Sequence, residues 1–220
     1  MVPLLYQISE TAVQNIRRYV ESGGTLLMTF FSGIVDSDDQ IRLGGYPAPF
    51  RDMLGLWVEE FSPLMEGETS SIETADRHQF KCDFWGEVIH VTDAEVLARF
   101  RQDDLAGSPA FTYHRFGKGH AFYLGTRLDK DGLSWLMDCL YARAELQPVL
   151  TTPQGIEAIR RTNGKQSWFF LLNHTSQEIG IALPGKGTDL LTGEAIQKSL
   201  VLPAKGVAIV QLAEKHDSAQ

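Results

Sequence analysis

The chain has 220 residues, 43% hydrophobic and 22% charged, an ordinary balance for a soluble globular protein with room for one large domain or two small ones. A formal net charge of −8 and a pI near 5.2 leave no basic stripe to neutralise phosphates, which argues against a nucleic-acid partner. No apolar run reaches the ~20 residues of a bilayer span, the opening MVPLLYQISE lacks a basic n-region, and Cys82 and Cys139 make no disulfide framework. The expectation is a cytoplasmic protein with two reduced thiols and no membrane partner.

A short apolar strand is expected over residues 4–8. Ser9 then caps a helix whose Val13, Ile16, Tyr19 and Val20 fall at helical spacing, and Gly23 ends it. The run Leu26-Leu27-Met28, continued through Thr29, Phe30 and Phe31, does not alternate. It reads as a strand buried on both faces, which implies a mainly parallel sheet covered by helices. A long irregular loop over 32–49 follows, then a short helix over 50–55 and a strand over 57–61. Residues 70–91 alternate loosely, with Phe80, Cys82 and Phe84 on one side and Lys81 and Asp83 on the other; two further strands are expected over 87–92 and 96–100. Gly117-Lys118-Gly119 marks a hairpin between strands over 110–116 and 120–124. Asp129 caps a last helix with the stripe Leu133, Leu136, Met137, Leu140 and Ala144, closed by Pro148.

Beyond Pro148 the pattern changes. Short β segments over 156–160, 168–173, 179–183, 200–202 and 207–212 alternate with Asn163-Gly164, Pro184-Gly185, Thr192-Gly193 and Lys205-Gly206. Domain boundaries at 1–148 and 149–214 follow, with a polar disordered tail over 215–220.

Each motif with chemical promise meets a spacing objection. Ser32 follows a buried strand, but Phe30 and Ile34 stand where a nucleophile elbow needs glycines. Asp36-Ser37-Asp38-Asp39 starts like a calcium loop, yet its sixth position is Ile41 and its twelfth Pro47. His78, Cys82 and His90 are too few for structural zinc. Glu59 and Glu60 are adjacent on a strand and point to opposite faces, so they cannot flank one glycosidic bond, and Glu66 and Glu68 bring no raised-pKa setting. The lone Gly117-Lys118-Gly119 lacks P-loop spacing, and Asn173-His174-Thr175 is a sequon without a secretory context. No catalytic, metal or cofactor site is therefore expected. Aromatics gather around the long loop, at Phe30, Phe31, Tyr46, Phe50 and Trp57, and such rings are enriched at interface cores.

The run GGTLLMTFFSGIVDSDDQIRLGGYPAPFRDMLGLWVEEF resembles the middle domain of bacterial β-galactosidases of glycoside hydrolase family 42. The likeness continues through PAFTYHRFGKGHAFYLGTRLD and into FFLLNHT, DLLTG and LPAKGVAIV, and it covers essentially the whole chain. In that family a (β/α)8 barrel with both catalytic glutamates comes first. A flavodoxin-like domain, related in fold to class I glutamine amidotransferases, then mediates trimer formation, and an antiparallel β domain ends the chain. The resemblance implies an α/β domain of that kind followed by a small antiparallel β-sandwich, with the first strand and helix of the trimerisation domain missing. A barrel alone needs ~250 residues, so the barrel and its glutamates are absent and the chain is not itself an enzyme. The implied role is non-catalytic: partnering itself in a homotrimer, or the catalytic barrel of the same enzyme. Phe31, Ser32, Asp36, Tyr46, Phe50 and Trp57 are the contact candidates. The alternative is an independent small-ligand or carbohydrate-binding module with a pocket beside Ser32 and Gly33.

Overall fold

The computed structural model describes residues 1–213, so the expected tail over 215–220 lies outside the described residues. The chain divides into two units, Met1–Leu146 and Gln147–Gln220. Strand accounts for 43% and helix for 17% of the described residues.

In the first unit, helix α1 (Glu10–Glu21) begins where the Ser9 hydroxyl accepts the Ala12 N–H at 3.3 Å. It buries Val13 and Val20 and stops at Gly23, whose φ of +119° ends the helical path. Strand β1 (Thr25–Thr29) follows, then a connection to a one-turn helix α2 (Arg51–Leu54), closed by Gly55 at φ +67°. Strands β2 (Leu56–Pro63), β3 (Thr69–Thr74), β4 (Gln79–Asp83), β5 (Trp85–Val91), β6 (Glu95–Phe100), β7 (Pro109–Phe116), β8 (Gly119–Leu124) and β9 (Arg127–Leu128) come next. Helix α3 (Lys130–Arg143) closes the unit, with the Asp129 carboxylate accepting the Gly132 N–H at 2.9 Å.

The main sheet has the order β1-β8-β7-β6-β3-β4-β9, and β2 and β5 form a separate antiparallel ribbon. Only β1 and β8 run parallel within the main sheet; every other neighbour is antiparallel. The expectation of a mainly parallel sheet is corrected accordingly: the sheet is mixed. The two-sided burial inferred for β1 is real, with Leu26 and Met28 in one core cluster and Leu27 in another. That burial arises because α1 and α2 cover one face and α3 the other, and it required no run of parallel strands. A second correction concerns residues 4–8. They form no strand; the N-terminal segment runs beside β1 and the following loop, with isolated parallel bridges at Val2–Met28, ahead of that stretch, and at Gln7–Val35 within it.

The second unit contains β10 (Ile156–Thr162), β11 (Ser167–Asn173), β12 (Ile179–Ala182), β13 (Gly187–Asp189), β14 (Ala195–Ile196), β15 (Ser199–Leu202) and β16 (Val207–Leu212). Five of them make an antiparallel sheet in the order β10-β11-β16-β13-β14, and β12 pairs with β15. Phe169, Leu171, Ile181, Leu202 and Val210 form its core. The short strands β13 and β14 had no apolar alternation long enough to read in the sequence. Among the described residues, no helix is long and apolar enough to cross a membrane.

Candidate functional site

The connection after β1 is irregular, as expected over 32–49, but its first residues turn inward. Ser32, Gly33, Ile34 and Val35 are all buried. The Ser32 hydroxyl donates to the Thr29 carbonyl at 2.7 Å and accepts the Leu5 N–H at 3.0 Å. Gly33 packs so closely under Pro47 and Pro49 that a Cβ there would lie 3.0 Å from Pro47 Cβ. A small-ligand pocket beside Ser32 and Gly33 has no space here.

Outward from this packed segment lies a patch of mutually touching rings. Phe31 stacks on Tyr6 with centroids 5.3 Å apart, and meets Phe61 and Trp85 edge-on at 5.3 and 5.1 Å. Phe61 stacks in turn on Tyr46 at 5.1 Å, and Phe84 lies 6.1 Å from Trp85. Tyr6 and Phe84 are exposed at 41% and 45%; the other rings are half-buried. Both Phe31, with φ +54°, and Phe84, with φ +67°, hold the left-handed backbone conformation that bulky residues adopt only at a cost.

Beneath the rings sits Glu87, on β5 and fully buried. Its Oε1 accepts the Phe31 backbone N–H at 2.9 Å and the Trp85 indole N–H at 3.2 Å, and its Oε2 accepts the Tyr123 hydroxyl at 2.7 Å. Burial pushes the carboxyl up from its ordinary 4.5 to about 7, against the three hydrogen bonds that favour the charged form. The Tyr123 hydroxyl is raised as well, by burial and then by the nearby carboxylate. Gly125 keeps this site open on its inner side, since a Cβ there would come within 2.7 Å of Ile89 and 3.5 Å of Glu87 Oε2. The arrangement can fix the strained backbone of Phe31 and orient Trp85. With no solvent access it cannot meet a substrate.

The six expected contact residues separate. Phe31 and Tyr46 join one surface, bridged by Phe61. Trp57 stacks instead on His90 at 4.3 Å, and Asp36 spends Oδ1 on the Asp38 and Gln40 N–H groups in a local turn. Ser32 and Phe50 are corrected: both are fully buried and cannot touch a partner. Sequence reasoning missed Tyr6, Phe61, Phe84 and Trp85, and it missed Glu87 altogether. The signal for Glu87 was a carboxylate set between Gly86 and the apolar Val88-Ile89, where a strand this buried does not ordinarily carry charge.

The rejected motifs are scattered by the fold. His78 pairs with Asp76 at 2.9 Å, His90 with Glu59 at 2.5 Å, and Cys82 lies in the core facing α3. Burial raises the pKa of both thiols, and neither occupies a strand-to-helix turn: Cys82 is within β4 and Cys139 within α3. Glu59 and Glu60 flank a β-bulge, with both side chains in solvent. In the second unit an open groove of about 390 Å³ runs past Gln166, Thr188, Gln197 and Gln211, with no aromatic ring in its wall.

Residues 1–147 match the family described as the β-galactosidase trimerisation domain, and residues 155–212 the β-galactosidase C-terminal domain of the same family. The chain belongs to glycoside hydrolase family 42. It is 39% identical over 213 residues to the β-galactosidase LacZ of Heyndrickxia coagulans, covering 97% of this chain and 32% of that protein. It is 36% identical over 221 residues to BgaB of Geobacillus sp. (strain Y412MC61), covering 100% and 32%. The β-galactosidase structure from Bacillus circulans sp. alkalophilus superposes with a TM-score of 0.88 at 34% identity, over 96% of this chain and 32% of that one. Gan42B, a GH42 β-galactosidase from G. stearothermophilus, gives 0.84 at 31% identity, over 96% and 31%. The chain thus spans about a third of the length of the family members it matches, and it consists of their trimerisation and C-terminal domains.

Proposed function

We propose that this chain is the non-catalytic assembly portion of a β-galactosidase, holding protomers in a cyclic homotrimer by a head-to-tail interface. In the complete enzyme, retaining hydrolysis of terminal β-D-galactosides would belong to a (β/α)8 barrel, the other partner of these domains. The match of residues 1–147 to a trimerisation domain carries this reading. Two observations support it. Glu87, the carboxylate with the raised pKa, is sealed from solvent, and the exposed Glu59 is committed to His90. Nothing in that pair resembles two carboxylates facing one glycosidic bond.

The finer fold reading belongs with this proposal. The parallel bridges on either side of α1, the parallel β1–β8 pair and helices on both sheet faces support a flavodoxin-like frame of the class I glutamine amidotransferase type, to which antiparallel strands have been added. The second unit, with one larger and one smaller antiparallel sheet around a shared core, supports a β-sandwich. The test is solution mass by light scattering after gel filtration across a dilution series. The expected mass is three times the 24.5 kDa of the single chain. A monomer at every concentration would overturn the claim that these domains assemble by themselves.

A further inference from the structure

The aromatic patch is costly and pre-arranged, which is unusual for a surface left to water. Six rings, Tyr6, Phe31, Tyr46, Phe61, Phe84 and Trp85, touch one another across four chain segments. Among the described residues, Phe31 and Phe84 are the two aromatics with positive φ, and both point their rings into this patch. A chain that needed only to close two turns would place glycine at such positions. Keeping phenylalanine there, 53 residues apart by number, retains the ring at the expense of the backbone. Phe31 is further pinned, because its N–H is bonded to the buried Glu87 carboxylate.

We infer that this aromatic patch is the surface on which a second copy of the chain seats, its rings entering a different face of the next protomer in the ring. The inference rests on the assembly reading above and deepens it by naming the contact. Three observations favour another copy over a sugar or a small ligand. All six rings lie within the stretch matched to a trimerisation domain. The polar groups under them are spent internally: Ser32 on Thr29 and Leu5, Glu87 on three donors, and the Trp85 indole N–H on Glu87. A sugar site needs such groups free to fix the ring's orientation, whereas a protein interface core needs rings and few charges. The charged group that does touch the patch, Arg127, lies 4.9 Å over Phe84 and is already paired with Asp83.

The positive φ values supply a clean test. Phe31→Gly and Phe84→Gly remove the rings while relieving the strained backbone, so neither variant is expected to lower the melting temperature much, and Phe84→Gly should leave it unchanged or raise it. Each should weaken self-association by about tenfold or more, read as the concentration at which light scattering shows half the chains assembled. Tyr141→Ala removes an equally exposed ring, 46% accessible on α3, and serves as the control that should leave assembly unchanged. An assembled wild type whose Phe31→Gly and Phe84→Gly variants assemble at the same concentration would overturn this surface while leaving trimerisation standing. A wild type that stays monomeric would overturn both. Loss of assembly in Tyr141→Ala as well, with the phenylalanine variants no worse, would move the contact to α3 and overturn the assignment.

Discussion

In the second unit, the buried polar side chains Asn173 and Asp189 serve the turns around them. Asn173 Nδ2 donates to the carbonyls of Gln177, Leu202 and Pro203, and its Oδ1 accepts from the Thr175 N–H and hydroxyl. Asp189 accepts from the Leu191 and Ile209 N–H groups and the Thr192 hydroxyl. In the first unit, Glu87 is more deeply buried than either, and its donors all belong to or back the aromatic patch. One unit hides polar groups to hold loops that lead nowhere in particular. The other hides a fully sealed carboxylate to hold a surface. The physical difference is depth: burial raises the carboxyl of the fully sealed Glu87 to about 7, and stability then depends on pH.

The largest effect expected from this contrast is therefore a pH profile. The folded-state value near 7 for Glu87 lies above its ordinary 4.5. Its contribution to stability is accordingly full below pH 4.5 and is lost as pH rises through 7. The integrated change is about 3 kcal/mol. Glu87→Gln cannot titrate, so the stability of the wild type relative to this variant should fall by that amount between pH 4.5 and 8 in urea unfolding. A difference that stays constant with pH would mean that the carboxylate is charged throughout and that its three hydrogen bonds outweigh burial.

Asn173→Ala asks the same question where no charge is involved. Removing the amide takes a donor from the carbonyls of Gln177, Leu202 and Pro203, the Leu202 bond being buried, and frees the Thr175 turn. The cost should be about 2 kcal/mol and independent of pH between 5 and 8. Hydrogen exchange of the β11 and β16 amides should report it, with β1 and β8 unaffected because they belong to the other unit. A pH-dependent cost here would erase the distinction drawn between the two units.

Local structure was legible wherever a single element carried its own signal. The Ser9 and Asp129 caps, the Gly55 stop and the Gly117 hairpin turn each declare themselves within a few residues, and the structure has each of them. Sheet direction was legible only for β1 itself, which does run parallel to β8; its burial on both faces, produced by α1 and α3, carries no information about the antiparallel strands beyond β8. The patch was half legible. Phe31 and Tyr46 stand in the loop that drew attention, but Tyr6, Phe61, Phe84 and Trp85 reach it from three other segments, and only the fold brings them together. Ser32 and Phe50 show the reverse error: a position at either end of the loop says nothing of depth, and here both ends fold inward while residues 37–41 stay exposed.

Ser32 offers the smallest and most local test of that inward folding. It is a buried polar side chain of the first unit with no charge, so on the argument above it should behave like Asn173 rather than like Glu87. Its hydroxyl both donates and accepts, tying the Leu5 N–H to the Thr29 carbonyl, and so fastens the N-terminal segment to the end of β1. Ser32→Ala leaves the Leu5 N–H without that acceptor, at a cost of about 1 kcal/mol with no pH dependence. Tyr6 follows directly in this segment and stacks on Phe31, so the loss should also loosen one edge of the aromatic patch. The measurement is amide exchange at Leu5 and Tyr6, expected to quicken while exchange at Phe31, still bonded to Glu87, does not. Quickening at Phe31 to the same degree would mean that the patch is held from the N-terminal segment and that Glu87 is not its anchor.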